Sequence, residues 1–471
     1  MAEKLERTLG LSSTISIVSG GIIGSAIFMK PALMASQLGS PLLLLGVWVL
    51  GGFITFLGAL TNAEAAAMMP ETGGQYIFFK NMFGDFTAFL YGWSALAVFN
   101  TAGNASIAYV FSIYAEYFIH LPRLPKETEQ LFHLYMPGIG TIFPLENIGV
   151  KSLTILLIWF LTFINYRSTN SADRVQILFS ILKIASMLFL VFGIFVFGKG
   201  SASHFVQGSP HSVSVLLLSI VTATSGAFWG YEGWNNITFM AGEIKNPQRN
   251  IPFGLMIGLL MVIVIYSLLN FAYIYALPID KIASSSFVGS DAASSAFGFG
   301  AGVIIALMVM ISTFGATNGN VLATARVTFA MAQEKKFFPI IGKVHPIYKT
   351  PGNALILHGI WTSLLVLSGS FDTLTDMLIF VTWIFYALSA VGVMVLRKKM
   401  PDANRPYKTL GYPYVPIAFI SISFFFLIMT LYNDIVNYLD GTTQLINSLF
   451  GLALTAVGIP LYFYFKKKEG Q

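Results

Sequence analysis

The sequence predicts an all-α integral membrane protein with about twelve transmembrane helices. Hydrophobic residues make up 55% of the 471 residues, whereas charged residues make up only 10%. Apolar runs of about twenty residues, the length that crosses a bilayer core, recur along the whole chain. No polar linker is long enough to separate two domains, so we expect one transmembrane domain over 1–471. This composition excludes a soluble fold.

Twelve spans follow from the apolar runs and from the polar residues that interrupt them. They are predicted at 12–38, 42–69, 85–118, 149–166, 172–198, 213–241, 251–276, 292–332, 353–370, 373–397, 413–433 and 444–465. An even number places both termini on the same side. Most of the 27 Lys and Arg residues then lie on the side of the termini. Because positive residues stay inside, both termini are predicted to be cytoplasmic, in the cell (inner or plasma) membrane.

The first span contains the glycine-rich stretch Gly20 to Phe28, which reads GGIIGSAIF. One interpretation is a packing face in which Gly20 and Gly24 let a neighbouring helix approach closely. The other is a break in the helix, which at membrane depth is tolerated only where it is buried in protein or lines a cavity. This stretch alone does not decide between them.

A second glycine-interrupted stretch, Ala227 to Asn236 (AFWGYEGWNN), lies in the sixth span. Spans one and six correspond to each other if the first ten spans form two inverted halves, at about 12–198 and 213–397, with two further helices over 413–465. Paired breaks of this kind point to the binding site of a transporter. The second stretch therefore favours a break at the first.

The chemistry of such breaks suits an amino acid, which carries a carboxylate and an ammonium on one carbon. Free N–H groups at Ser25 and Ala26 suit the carboxylate, and free carbonyls at Ile22, Trp229 and Glu232 suit the ammonium. Trp229 and Tyr231 are candidates to close over the substrate, with Trp229 as a gate, although aromatic residues in membrane helices also serve packing. The predicted substrate-binding residues are Gly21, Ile22, Gly24, Ser25, Ala26, Trp229, Tyr231, Glu232, Gly233 and Asn235.

Lys183 lies near the centre of the fifth span, where an ammonium costs about 3 kcal/mol or more, so a functional role is expected. It is predicted to substitute for a bound sodium ion or to take part in coupling; a structural ion pair or a cap on neighbouring carbonyls is the alternative. Three roles remain open for Glu232: pairing with Lys183, binding the substrate ammonium, or facing a water-filled path. Asn104 and Asn318 are expected either to line the pocket or to pack between helices.

Other classes of site find no support in the sequence. The chain has no cysteine, which excludes a disulfide-linked heavy subunit, and its six histidines show no metal-ligand spacing. We expect no catalytic residue, metal or cofactor. The net charge of +6 is explained by the positive residues of the cytoplasmic loops, so it does not require a nucleic-acid partner. The glycine run at 298–302 lacks the preceding strand of a nucleotide loop and is read as helix packing. The polar segment 120–149 is predicted to be an outer connector, with docking of a partner as the alternative.

Several ordered blocks of the chain resemble the amino acid-polyamine-organocation (APC) transporters, and within them the L-type amino acid transporter (LAT) branch. GGIIGSAIF resembles the signature of the first span of that family. The other matching blocks are MPETGGQY (Met69 to Tyr76), AFWGYEGWNNITFMAGEIKNPQRNIP (Ala227 to Pro252), FGATNGNVLATAR (Phe314 to Arg326), HPIYKTP (His345 to Pro351) and RPYKTLGYPYVP (Arg405 to Pro416). The resemblance covers nearly the whole chain.

The resemblance implies a five-plus-five inverted repeat (the LeuT-like fold) with spans one and six unwound, followed by two extra helices. It also implies sodium-independent transport of L-amino acids, an aromatic gate at Trp229, and Lys183 in place of a sodium site. Two departures matter. Ala26 stands where the family usually has a third glycine, and its methyl group is expected to favour small side chains. The missing cysteine suggests a stand-alone bacterial-type member.

The predicted function is therefore secondary transport rather than enzymatic catalysis. Alternating access with exchange of small or medium neutral amino acids is preferred, since a fixed Lys183 charge can replace a driving ion without moving one. Proton-coupled symport is the nearest alternative, followed by transport of cationic amino acids or polyamines. A channel or a membrane-embedded sensor is disfavoured, because the spans carry few charges and the short termini leave no room for an output domain.

Overall fold

A computed structural model describes residues 7–71, 73–167, 172–198, 200–208 and 213–469. Residue 72 of the MPETGGQY block lies outside the described residues, as do parts of the predicted connections around 168–171 and 209–212. Within the described residues the α-helices are α1 (Leu11–Ile22), α2 (Ala26–Leu38), α3 (Pro41–Met68), α4 (Gln75–Phe83), α5 (Asp85–Ser94), α6 (Asn100–Ala115), α7 (Lys126–Leu131), α8 (Ile148–Arg167), α9 (Ala172–Phe197), α10 (Val213–Gly230), α11 (Pro247–Ala276), α12 (Ile279–Ala283), α13 (Val288–Phe297), α14 (Phe299–Gln333), α15 (Gly352–Ser368), α16 (Phe371–Lys399), α17 (Tyr414–Leu439), α18 (Asn447–Ala456) and α19 (Gly458–Glu469).

Three further segments continue or follow these helices. A π-helical segment, Ala95–Phe99, joins α5 to α6. Short 3₁₀ helices form at Ala202–Val206 and, directly after the glycines that end α10, at Trp234–Glu243. We call Trp234–Glu243 the 3₁₀ helix below.

Eight helical segments of the described chain are long and apolar enough to cross a membrane, which establishes a multi-pass membrane protein. The pair α1 and α2 forms a ninth if it counts as one span, since the two helices are bent by 45° at a short break. Each of the twelve predicted spans contains helical structure. The number of crossings and the inverted repeat remain predictions.

Some predicted boundaries are wrong. The interval 292–332 contains two helices, because Gly298 takes φ 93° between α13 and α14, a conformation that glycine adopts easily. The predicted span 444–465, in contrast, agrees with the structure, since α18 and α19 together form one segment, Asn447–Lys468, that is long enough to cross a membrane. Within the predicted connector 120–149, α7 precedes an antiparallel hairpin of β1 (Leu134–Met136) and β2 (Gly140–Ile142).

The described chain divides into two compact units. The first unit comprises Met1–Tyr91, Leu190–Ser285 and Thr382–Met429, and the second comprises Gly92–Phe189, Ser286–Val381 and Thr430–Gln471. The first unit therefore contains both glycine-interrupted stretches. The second contains α6, α8, α14 and α15, which pack together.

Helices of the first unit approach one another closely where α3 carries glycines. A Cβ atom at Gly51 would lie 2.7 Å from the Ala227 Cβ of α10, and one at Gly52 would lie 2.8 Å from the Tyr231 ring. Larger residues at these positions would separate α3 from the second interrupted stretch. Leu9 also pairs with Ile244 at the end of the 3₁₀ helix, which fixes the position of Leu9.

Candidate functional site

The first glycine-rich stretch forms a break between two helices. Helix α1 ends at Ile22, Ile23 is extended (φ −64°, ψ 102°), and α2 begins at Ala26. Gly21 is exposed and Gly24 is half-buried, although both lie within a predicted span. The stretch thus presents backbone atoms at an accessible surface of the first unit.

The start of α2 offers hydrogen-bond donors. Ser25 precedes this helix without a side-chain cap, and its buried hydroxyl has no hydrogen-bond partner among the described residues. The N–H groups of Ser25 and Ala26 make no backbone hydrogen bond within the described chain. Unpaired N–H groups at a helix N-terminus form a favourable environment for an anion.

The second break follows Gly230. The chain leaves α10, passes through Tyr231 and Glu232, and turns at Gly233 (φ 99°, ψ −7°) into the 3₁₀ helix. A left-handed residue is favourable for glycine and costly for most others. Gly233 therefore changes the direction of the chain within the predicted sixth span.

The two breaks meet at their backbones. A Cβ atom at Gly233 would lie only 2.6 Å from the carbonyl oxygen of Gly21, whereas one at Gly21 would lie 3.5 Å from the Gly233 oxygen. The contact is possible because Gly233 carries no side chain, whereas a Cβ atom at Gly21 would make only an ordinary van der Waals contact. Both predicted halves of the site consequently lie side by side in one unit.

The carbonyls of these breaks are less free than predicted. The Ile22 oxygen accepts a hydrogen bond from the Tyr266 hydroxyl at 3.2 Å, and the Trp229 oxygen accepts one from the Glu232 N–H at 3.2 Å. The expectation of free carbonyls at these positions is wrong, because a wholly unpaired carbonyl in an apolar interior is costly. Each oxygen keeps a second lone pair for a ligand.

Aromatic side chains pack around the second break. Tyr231 is fully buried, and its hydroxyl donates to the Trp48 carbonyl at 3.0 Å. Its ring packs against those of Trp48 and Tyr266, at centroid distances of 5.9 and 5.5 Å. In this conformation the Tyr231 side chain packs in the interior. Trp229 is also buried, with 8% of its surface exposed.

Two polar side chains near the second break bind residues of other helices. The Glu232 carboxylate accepts a hydrogen bond from the Tyr386 hydroxyl of α16 at 2.7 Å. The Asn235 side-chain oxygen accepts from the Asn62 amide of α3, and the Asn62 oxygen accepts from the Ser389 hydroxyl at 2.7 Å. The pairing of Glu232 with a tyrosine was not among the expected roles.

Sequence reasoning missed Asn62, Tyr266 and Tyr386. Asn62 offered a signal, since an amide inside an apolar span needs a partner. The two tyrosines carried none, because tyrosine is common in membrane helices and their partners lie more than 150 residues away in the chain.

Three further predicted residues belong to the second unit. Lys183 is 7% exposed in α9, and its carbonyl accepts from the Ser186 hydroxyl at 2.7 Å. The Asn104 amide donates to the Thr324 hydroxyl at 3.0 Å, and the Asn318 side-chain oxygen accepts from the Asn165 amide at 2.8 Å. These contacts show interhelical pairing for both asparagines, whereas a role for any of the three in binding remains a prediction.

A multi-pass helical protein with two adjacent helix breaks has the features of a secondary transporter. The amino acid permease family matches residues 9–456, and this chain belongs to that family. The predicted family is thereby confirmed, and the protein is an amino acid transporter of the membrane rather than an enzyme.

Characterised relatives cover almost all of the chain. It is similar to the serine/threonine exchanger SteT of Bacillus subtilis, with 31% identity over 99% of this chain and 98% of the relative. It is also similar to the human large neutral amino acids transporter small subunit 2, with 30% identity over 98% of this chain and 80% of the relative. The mouse b(0,+)-type amino acid transporter 1 shares 28% identity over 91% of this chain and 84% of the relative. Because the chain contains no cysteine, a disulfide to a partner subunit is excluded.

Proposed function

We propose that this protein is a sodium-independent exchanger of small or medium neutral L-amino acids that works by alternating access. In this proposal the chain crosses the membrane twelve times with both termini in the cytoplasm. The first ten spans form the two inverted halves, and a helical bundle that contains spans one and six rocks around the bound substrate.

The close contact of Gly21 with Gly233 is the observation that carries this proposal. Two breaks that touch through their backbones bring donors and acceptors from separate helices to one place. The accessibility of Gly21 and Gly24 supports a ligand there, since backbone without a use would be covered in a membrane protein.

The substrate groups follow from the polarity of the two breaks. The carboxylate binds the N–H groups of Ser25 and Ala26 together with the unpartnered Ser25 hydroxyl. The ammonium binds the remaining lone pairs of the Ile22 and Trp229 carbonyls, with Glu232 nearby in sequence. Gly21 and Gly24 leave room for the backbone of the substrate, and Gly233 lets the second break reach Gly21. Asn235 contributes from the 3₁₀ helix, and Trp229 acts as the gate.

A preference for small side chains rests on Ala26. It is 3% exposed at the first position of α2, so its methyl group occupies space that glycine would leave empty. The serine/threonine specificity in the name of the bacterial relative agrees with a small substrate. Asn104 and Asn318 are secondary candidates for the lining of the pocket.

Exchange is the preferred coupling because Lys183 provides a buried positive charge without a mobile ion. A cation that never leaves replaces the electrostatic role of sodium but cannot drive net uptake. Sodium independence is therefore expected together with obligatory exchange.

Counterflow tests the proposal. Purified protein in liposomes preloaded with unlabelled serine should accumulate labelled serine without sodium, and removal of the internal amino acid should abolish uptake. The assay is then repeated with each of the twenty amino acids in turn, preloaded inside the liposomes and supplied outside in labelled form. No counterflow with any of them would reject the transporter mechanism proposed here, and uptake that requires sodium would reject the role given to Lys183.

Proton-coupled symport is the second candidate, and the Glu232–Tyr386 hydrogen bond favours it. A carboxylate that accepts a hydrogen bond from a neutral hydroxyl can gain a proton without breaking an ion pair. An imposed pH gradient distinguishes the two mechanisms. Uptake into empty liposomes that rises with an acidic exterior would favour symport over exchange.

A further inference from the structure

One buried carboxylate of the first unit makes contacts that the proposed substrate site does not explain. Glu64 lies near the C-terminal end of α3, and its side chain is 1% exposed. The Arg397 guanidinium, at the end of α16, donates to both carboxylate oxygens at 2.8 and 2.7 Å. Paired, parallel hydrogen bonds of this kind fix orientation as well as distance. Glu64 therefore holds the end of α16 against α3.

The same carboxylate also binds the loop that follows α16. Thr409 donates its backbone N–H and its hydroxyl to one Glu64 oxygen, both at 2.8 Å. Arg405 Nε lies 3.4 Å from the other oxygen. In this cluster one carboxylate faces two guanidinium groups, so its removal would leave two positive charges in a largely buried environment.

The loop is ordered by contacts beyond Glu64. Arg405 donates to the carbonyls of Leu396 and Met400 at 3.2 and 2.7 Å, which caps the C-terminal end of α16. The Arg397 guanidinium lies 3.6 Å from the centroid of the Tyr412 ring. The end of α16 and the loop thus form one fixed structure whose attachment to α3 depends on Glu64.

Helix α16 links this cluster to the second break. It is continuous from Phe371 to Lys399, and it carries Tyr386, which binds Glu232, and Ser389, which binds Asn62. Tyr386 precedes Arg397 by a helical rise of about 16 Å. A shift or rotation at the end of a continuous helix moves these two hydroxyls as well.

We propose that Glu64 is a positioning residue for substrate binding. It fixes the height and rotation of α16 and thereby aims the Tyr386 and Ser389 hydroxyls at Glu232 and at the Asn62–Asn235 pair. The inference rests on the proposed function, in which Glu232 and Asn235 belong to the substrate site. Small displacements of positioning groups weaken binding strongly, so the effect should be visible far from the cluster.

The first test measures the KM and the maximal rate of exchange for Glu64→Gln in liposomes. This variant keeps the shape of the side chain and removes its charge. We expect KM to rise tenfold or more with a maximal rate within threefold of the unmutated protein, and Glu64→Asp to recover part of the loss. Glu116→Gln is the matched control, because its partner Arg123 is 63% exposed, and it should leave KM unchanged.

The second test combines Glu64→Gln with Tyr386→Phe. Independent changes at separated sites multiply their effects on KM, whereas changes along one chain of contacts do not. We expect the double variant to raise KM by clearly less than the product of the single effects. If Glu64→Gln does not fold, Thr409→Val, which keeps the carboxylate and the backbone N–H donor, replaces it in the same cycle.

The possible results separate this inference from the proposed function. Multiplying effects, or an unchanged KM with reduced thermal stability, would show a merely structural Glu64 and overturn the inference alone. Absence of counterflow by the unmutated protein would overturn the proposed function and this inference with it.

Discussion

Both compact units pair buried polar side chains between helices, but the first also brings together the backbones of two interrupted helices. In the first unit two helices are interrupted, and backbone atoms at Gly21 and Gly233 come into contact. In the second unit α14 runs for 35 residues without a break, and its side chains pair with neighbouring helices. These pairs are Asn165–Asn318, Asn104–Thr324 and Thr328–His358.

This contrast separates two uses of polarity in a membrane protein. Paired side chains join helices to one another and leave no backbone group available, which suits a rigid frame. An interrupted helix exposes N–H and C=O groups in fixed directions, which suits a ligand that carries both charges. The first unit is therefore where substitutions of single glycines should matter most.

Gly233→Ala should have the largest effect. A methyl group there would lie 2.6 Å from the Gly21 oxygen at φ 99°, so the two breaks would have to separate. We expect counterflow to fall to background and the thermal unfolding temperature to drop. Gly300→Ala, in the second unit with nothing within 4 Å of the new Cβ atom, is the control and should behave like the unmutated protein. Normal transport by Gly233→Ala would show that the contact is dispensable.

Gly24→Leu should abolish transport with little loss of stability. A Cβ atom at Gly24 meets only the Ile22 oxygen, at 3.7 Å, so the fold has room for the first atom of a side chain. The rest of the leucine would occupy the accessible surface at which the substrate is proposed to bind. We expect exchange to fall at least fiftyfold while the protein inserts and purifies normally.

The control for this prediction is Gly46→Leu in α3, where a new Cβ atom meets nothing within 4 Å. It should transport normally. If Gly24→Leu transports as well as Gly46→Leu, the first stretch is a packing face and the binding site lies elsewhere.

The sequence was sufficient to locate the two breaks, because glycines in an apolar run have few explanations. It also indicated that the helix is interrupted around Gly233. It could not show how the freed groups are satisfied. The Ile22 carbonyl was expected to be free, yet Tyr266 of α11 binds it from a position 244 residues away.

The side chains near the breaks were also predictable only in part. Glu232 was identified by its cost in a membrane, but its partner Tyr386 depends on the packing of α16, which no local pattern encodes. Tyr231 was expected either to close over the substrate or to pack, and its ring packs against Trp48 and Tyr266. Local composition therefore predicts where the backbone is available, and tertiary packing determines which side chains support it.

Thr324→Val, in the second unit, should have the smallest effect. It tests whether the paired side chains of this unit only join helices. The change removes the hydroxyl that accepts from the Asn104 amide, and Asn104 is only 1% exposed. Leaving a buried donor unpaired costs about 1–3 kcal/mol, so the protein should lose thermal stability. If Asn104 only joins helices, KM should stay within twofold.

Thr313→Val on the same helix is the matched control, because the Thr313 hydroxyl bonds only to carbonyls of its own helix in the described chain. It should cost less stability than Thr324→Val. A KM that rises fivefold or more in Thr324→Val, but not in Thr313→Val, would place Asn104 in the substrate pocket. The second unit would then contribute to recognition as well as to the frame.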